Sequence, residues 1–161
     1  MSTTLGVKYI LAPTIPADEC SRLETLHSLN ILDTPPEERF DRLTRLAKRV
    51  LGVPMAIVSL IDENRQWSKS FASTPPSEIP RPLSFYGHAI LSKDIMVVPN
   101  TVDDARFHDN PLVTGDAGIR FYPGYAMTYF GSAPNGSLLA GTPASACLLS
   151  TLAHSEATAT A

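Results

Sequence analysis

Residues 34–54 constrain this chain more than any other segment, because they specify one complete helix and then deliver the backbone into an apolar strand. Thr34 can cap, Pro35 fits the first helical position where no N–H is needed, and Glu37 completes a Thr-x-x-Glu capping box. Phe40, Leu43, Leu46, Ala47, Val50 and Leu51 recur at three- and four-residue steps, with charged residues filling the other face. That spacing predicts an amphipathic helix lying against a core. Gly52 suits the left-handed position after the last turn, and Pro54 forbids continuation.

The neighbouring segments read in the same way. Residues 16–30 carry Cys20, Leu23, Leu26 and Leu29 at roughly helical spacing, with Asp18 and Glu19 in the first turn. This leading helix either packs on its own domain, as its narrow apolar stripe favours, or pairs with a second copy of the chain. Residues 55–61 are short, apolar and β-branched, as in a buried strand, and 66–71 alternate as its return partner with Trp67, Lys69 and Phe71 on one side. Four prolines make 72–82 a loop. Residues 84–91 predict a short helix capped by Ser84, and 95–98 a strand that Pro99 ends. Asp103, Asp104, Asp109 and Asp116 then read as turn caps, since no calcium-loop spacing is present. Residues 118–122 and 125–130 are strand-like, and Pro134-Asn135-Gly136 suits a hairpin turn. Beyond residue 142, Pro143 falls where a strand should continue, and an Ala/Ser/Thr-rich tail follows.

Size and charge bound the function. With 161 residues, 43% apolar and 18% charged, the chain fits one globular domain. Its net charge of −3 and the lack of any basic block longer than Lys48-Arg49 disfavour nucleic acid and anionic membranes as partners. The N-terminal apolar run is too short for a signal peptide or spanning helix, so the expected location is cytoplasmic. Cys20 and Cys147 lack metal or disulfide spacing and read as two half-buried thiols. Neither a metal nor a cofactor is expected.

The order of elements and the local wording resemble the GAF domain, in the bacterial subgroup found in front of histidine kinases and diguanylate cyclases. The resemblance rests on Ile31-Leu32-Asp33-Thr34-Pro35-Pro36-Glu37, Phe40-Asp41-Arg42-Leu43, Val58-Ser59-Leu60-Ile61-Asp62, Arg65-Gln66-Trp67-Ser68-Lys69-Ser70, Ser84-Phe85-Tyr86-Gly87-His88-Ala89-Ile90, Asn110-Pro111-Leu112-Val113 and Gly118-Ile119-Arg120-Phe121-Tyr122. It implies an α+β, GAF/PAS-like fold: a central antiparallel sheet of five to six strands, helices mainly on one face, and a ligand-sized cavity on the other. The expected division is a flexible 1–15, a GAF-like domain over 16–142, and a divergent tail over 143–161, with disorder one reading of that tail. The subgroup's cysteine at Tyr86, its Gly-x-Leu-Cys-x-x-Asp strand and its closing C-terminal helix are missing from the pattern. Cys147-Leu148-Leu149-Ser150 reproduces that strand only if 143–146 is an insertion.

The resemblance suggests a cavity-facing set of Trp67, Phe71, Arg81, Phe85, Tyr86, His88, Arg106, Phe107, Arg120 and Tyr122. Aromatic rings with a few convergent donors are what a small-ligand pocket needs. For Trp67, Phe71, Phe85 and Phe107, plain core packing outweighs ligand contact. His88 stands as the foremost ligand candidate beside an equally weighted structural role, and Arg81, Arg106 and Arg120 could instead be held by neighbouring carboxylates. The implied function is a non-enzymatic sensory or regulatory module that binds a small ligand or a partner, with a kinase or cyclase as output. A free methionine sulfoxide reductase is the rival enzyme, disfavoured because its chemistry needs several cysteines in the pocket. A truncated fragment of a larger sensor is the third reading.

Overall fold

The computed structural model describes residues 10–71, 78–127 and 146–154, the last as backbone only. Two helices lead, α1 (Glu19–Ser28) and α2 (Glu38–Leu51), followed by the hairpin β1 (Met55–Ile61) and β2 (Arg65–Phe71). A short β3 (Glu78–Pro80) runs into a 3-10 turn (Arg81–Leu83) and then α3 (Phe85–Ala89). β4 (Met96–Val98), α4 (Pro111–Thr114), β5 (Ile119–Gly124) and β6 (Ala146–His154) complete the order. The six strands form an antiparallel sheet in the order β3-β2-β1-β6-β5-β4.

β6 departs from expectation. Part of the segment read as a divergent tail occupies the centre of the sheet, pairing Ile57 with Ser150 on one side and Phe121 with Ala153 on the other. It contains Cys147-Leu148-Leu149-Ser150, the stretch that matches the subgroup's strand with 143–146 as an insertion; the surrounding Ala, Ser and Thr pointed to a tail instead, because a strand paired on both edges gains its stability from ladder pairing more than from local propensity. The Pro134-Asn135-Gly136 turn and the strand ends at 128–130 lie outside the described residues. β3 and α4 were also unexpected. The Asn110-Pro111 start of α4 was readable, since the Asn110 side chain accepts from the Leu112 N–H at 2.9 Å and Pro111 fills the first turn.

The face covered by α1 and α2 holds Leu26 and Leu60, with Leu23, Leu29 and Trp67 packed around them. Here the expected capping box fails. α2 begins at Glu38 with no side-chain cap, and Thr34 and Glu37 turn instead to Lys69. The Lys69 ammonium, buried on β2, donates to Thr34 Oγ1 at 2.5 Å, to the Pro35 carbonyl at 2.9 Å and to Glu37 at 2.7 Å. A buried charge requires acceptors more urgently than a helix start requires a cap. Lys69 and then Arg39 hold the Glu37 carboxyl below its usual range.

The rotation of α2 also differs from its apolar pattern. Only Thr44 and Ala47 are fully buried, whereas Leu43, Leu46 and Val50 stay exposed, Val50 by 70%. Ser70 Oγ donates to Asp41 at 2.6 Å and lies 2.9 Å from Thr44 Oγ1, so polar cross-links turn the Thr44–Ala47 line toward the sheet. The end of the helix follows expectation: Gly52 sits at φ +63°, where a side chain would be strained.

Candidate functional site

The opposite face of the sheet carries α3, which is fixed by a hydrogen-bonded chain. The Gly87 N–H donates to Ser84 Oγ at 3.1 Å, capping the helix as expected, and Ser84 Oγ donates to Gln66 Oε1 at 2.7 Å. Gln66 Nε2 donates in turn to Ser59 Oγ at 3.0 Å. All three side chains are buried, so the cap is tied to β1 and β2 rather than to water. From this platform Phe85 stacks on Phe107 with centroids 4.2 Å apart, and Tyr122 of β5 lies 5.1 Å from Phe85 and 5.5 Å from Tyr86. Ile57 and Ile61 of β1 form the floor.

Tyr122 is the unusual member of this layer. It is fully buried, and its hydroxyl has no hydrogen-bond partner among the described residues. Burial, with a further contribution from Tyr86, pushes its pKa well above that of free tyrosine, so the phenol stays neutral. An unpaired buried hydroxyl costs about 1–3 kcal/mol.

His88 extends from α3 to residues 10–17, the stretch leading into α1. Its Nε2 lies 3.0 Å from the Leu11 carbonyl, which can only accept, so that nitrogen carries the proton. The ring stands edge-on to Phe107 at 5.0 Å. Burial lowers the His88 pKa against the raising effect of the Leu11 bond, and the imidazole is neutral at pH 7. Next to it, Gly87 has a steric reason to be glycine: a Cβ there would stand 2.6 Å from Cγ of Pro13. Residues 10–15, expected within a flexible terminus, therefore lie clasped against α3.

Arg81 precedes α3 in the 3-10 turn and is 4% exposed. Its Nη1 donates to the Glu19 carboxylate and, at 3.2 Å each, to the carbonyls of Asp62 and Glu63. Arg22, 1% exposed, donates from Nε and Nη2 to Glu19, both at 2.7 Å, and from Nη1 to the Ile61 carbonyl at 2.5 Å. Burial would raise the Glu19 pKa, but the two guanidiniums outweigh it and hold the carboxyl at about 2. Glu19 and Arg22 escaped sequence reading. Glu19 was visible only as a first-turn acid, and nothing local distinguishes Arg22 from a surface arginine.

The remaining candidates scatter. Arg106 is held by Asp104 at 2.6 Å and covers the Phe107 ring at 4.9 Å, raising its own pKa and lowering that of Asp104. Arg120 donates to the carbonyl of Val113 at 2.9 Å rather than to an aspartate. Trp67 lies on the α1 side of the sheet, and Phe71 is 42% exposed at the end of β2. The structure thus brings Phe85, Tyr86, His88, Arg106, Phe107 and Tyr122 together, with Arg81 on the adjoining side of α3. Cys20 is exposed on α1, not half-buried, and no three potential metal ligands cluster among the described residues. No helix there is long and apolar enough to cross a membrane.

A sheet of this order with α1 and α2 on one face and α3 and α4 on the other defines the GAF class. The GAF family model matches residues 35–145, and the chain belongs to that family. Over 112 residues it is 36% identical to the cyclic di-GMP phosphodiesterase PA2567 of Pseudomonas aeruginosa, a match covering 70% of this chain and 19% of that protein. Among solved structures it is similar to the GAF domain of an Acinetobacter phosphoenolpyruvate-protein phosphotransferase, with a TM-score of 0.50 and 13% identity over 83% of this chain and 75% of that one. The A. aeolicus nlh2 GAF domain in an inactive state also has a TM-score of 0.50, with 11% identity over 85% and 80% of the respective chains. At these identities the two structures speak for the fold alone.

Proposed function

We propose that this GAF domain is a non-enzymatic sensory module of bacterial signal transduction, in which a bound small ligand or partner moves α3 and the movement passes to α1. The observation that carries the reading is the three-point clasp between α3 and the approach to α1. His88 reaches Leu11, Gly87 abuts Pro13, and Arg81 in the 3-10 turn that leads into α3 grips Glu19 at the start of α1. A displacement of α3 cannot leave all three contacts intact, so α1 responds to it. The exposure of Cys20 on α1, away from the aromatic layer, supports a binding role over thiol chemistry.

Hydrogen–deuterium exchange tests the relay. Gly87→Ala gains up to about 1 kcal/mol of helix propensity, but overlap with Pro13 outweighs that gain at about 1–3 kcal/mol. Faster exchange is expected in residues 10–17 and also in α1; a change confined to α3 would defeat the relay. Turnover of free methionine sulfoxide in the presence of thiol would defeat the non-enzymatic assignment.

A further inference from the structure

An apolar line on α2 faces away from the sheet. Leu43, Leu46 and Val50 stand three and four residues apart on one side of the helix and are 45%, 56% and 70% exposed. The line is held outward, because Ser70 of β2 binds both Asp41 and Thr44 on the opposite side of the same helix. Aliphatic side chains at this spacing are what a second amphipathic helix reads with its own ridges. Charge narrows the choice of helix. Arg42 and Arg49 are exposed beside the line, with Leu46 between them, four residues from the first and three from the second. Neither meets a carboxylate among the described residues, whereas the other arginines of α2 do: Arg39 pairs with Glu37 at 2.8 Å and Arg45 with Glu38.

We propose that this face of α2 docks an acidic amphipathic helix of a partner protein, whose aliphatic line lies on Leu43, Leu46 and Val50 and whose flanking carboxylates meet Arg42 and Arg49. A second copy of α2 does not supply those carboxylates. Laid antiparallel it sets arginine line against arginine line, and laid parallel it offers Phe40 and Ala47 instead. Two unmatched cations also fall short of the clusters of about four to eight that anionic bilayers recruit. The face lies across the sheet from the aromatic layer and shares no residue with the clasp, so the docking and the relay stand or fall separately.

Fluorescence anisotropy of a labelled peptide of three Glu-Leu-Ala-Ala-Leu-Glu-Gln heptads, titrated with the full chain, tests the surface. The flanking glutamates keep the peptide from pairing with itself, and a companion peptide carries lysine in place of each glutamate. Saturable binding of the acidic peptide is expected, weakening as salt rises and reduced at least about tenfold by Leu46→Gln. Arg42→Glu combined with Arg49→Glu should lose the acidic peptide and take the basic one, an exchange that a folding defect does not produce. Absence of saturable binding, equal affinity of the parent for both peptides, or affinity unchanged in both variants overturns the proposal. So does a chain that sediments as a dimer until Leu46→Gln splits it, which gives the face to a second copy. Flotation with phosphatidylserine vesicles that is lost when Arg42 and Arg49 are replaced gives it to a membrane and also overturns the proposal.

Discussion

The two sides of α3 are built from opposite materials. Toward the sheet lies a layer of Phe85, Tyr86, Phe107 and Tyr122, whose stability comes from apolar area removed from water. Toward residues 10–17 and α1 lies an ionic knot of Glu19, Arg22 and Arg81, in which each charge must be matched because water is excluded. The aromatic layer tolerates an imperfect contact, even the orphaned Tyr122 hydroxyl, at modest cost. In the knot the two guanidiniums share Glu19 and are held further by the carbonyls of Ile61, Asp62 and Glu63. Apolar packing and charge pairing therefore meet at one five-residue helix and the turn that precedes it.

The contrast is strongest where a ring is removed. Phe85→Ala deletes a fully buried side chain that touches two other rings, and about 4 kcal/mol of stability should be lost in urea unfolding. Arg22→Ala is next, at about 3 kcal/mol, because it strands the Ile61 carbonyl and leaves Glu19 with Arg81 alone. A larger loss for Arg22→Ala than for Phe85→Ala would invert the ranking and make the knot the main support. Acid sharpens the same point. Glu19 is depressed from an ordinary 4.5 to about 2, so its contribution is complete above 4.5 and disappears as the pH falls toward 2. Glu19→Gln should be less stable than the parent at pH 7, with the gap closing across that window; a gap independent of pH would remove Glu19 from the knot's electrostatics. Smallest of all, Leu46→Gln on the exposed flank of α2 should change stability by no more than about 0.5 kcal/mol. A loss above 2 kcal/mol would mean that this flank is covered in solution.

Legibility followed the range of the interactions. The Ser84 cap, the Gly52 stop and the apolar run of β1 were readable because each depends on neighbours within a turn or on simple alternation. The capping box was equally well written and still failed, since Lys69, more than thirty residues away, takes both of its members. Of the candidate site, the aromatic residues of α3 and β5 converged, but Trp67 fell on the opposite face, where it packs with Leu26 and Leu60. The strand register between β1 and β2 shifts at Val58/Ser59, an irregularity that alternation in the sequence does not record.

The sequence alone determined the short helix that bears Phe85, Tyr86 and His88, because turn chemistry and hydrophobic period act locally, while the family and the α+β class came through resemblance of its motifs to known GAF domains. Tertiary structure alone decided that Ala146–His154 fills the middle of the sheet and that Glu19, Arg22 and Arg81 meet. Strand pairing and buried charge are settled by partners distant in the chain, and no local pattern encodes which partner arrives.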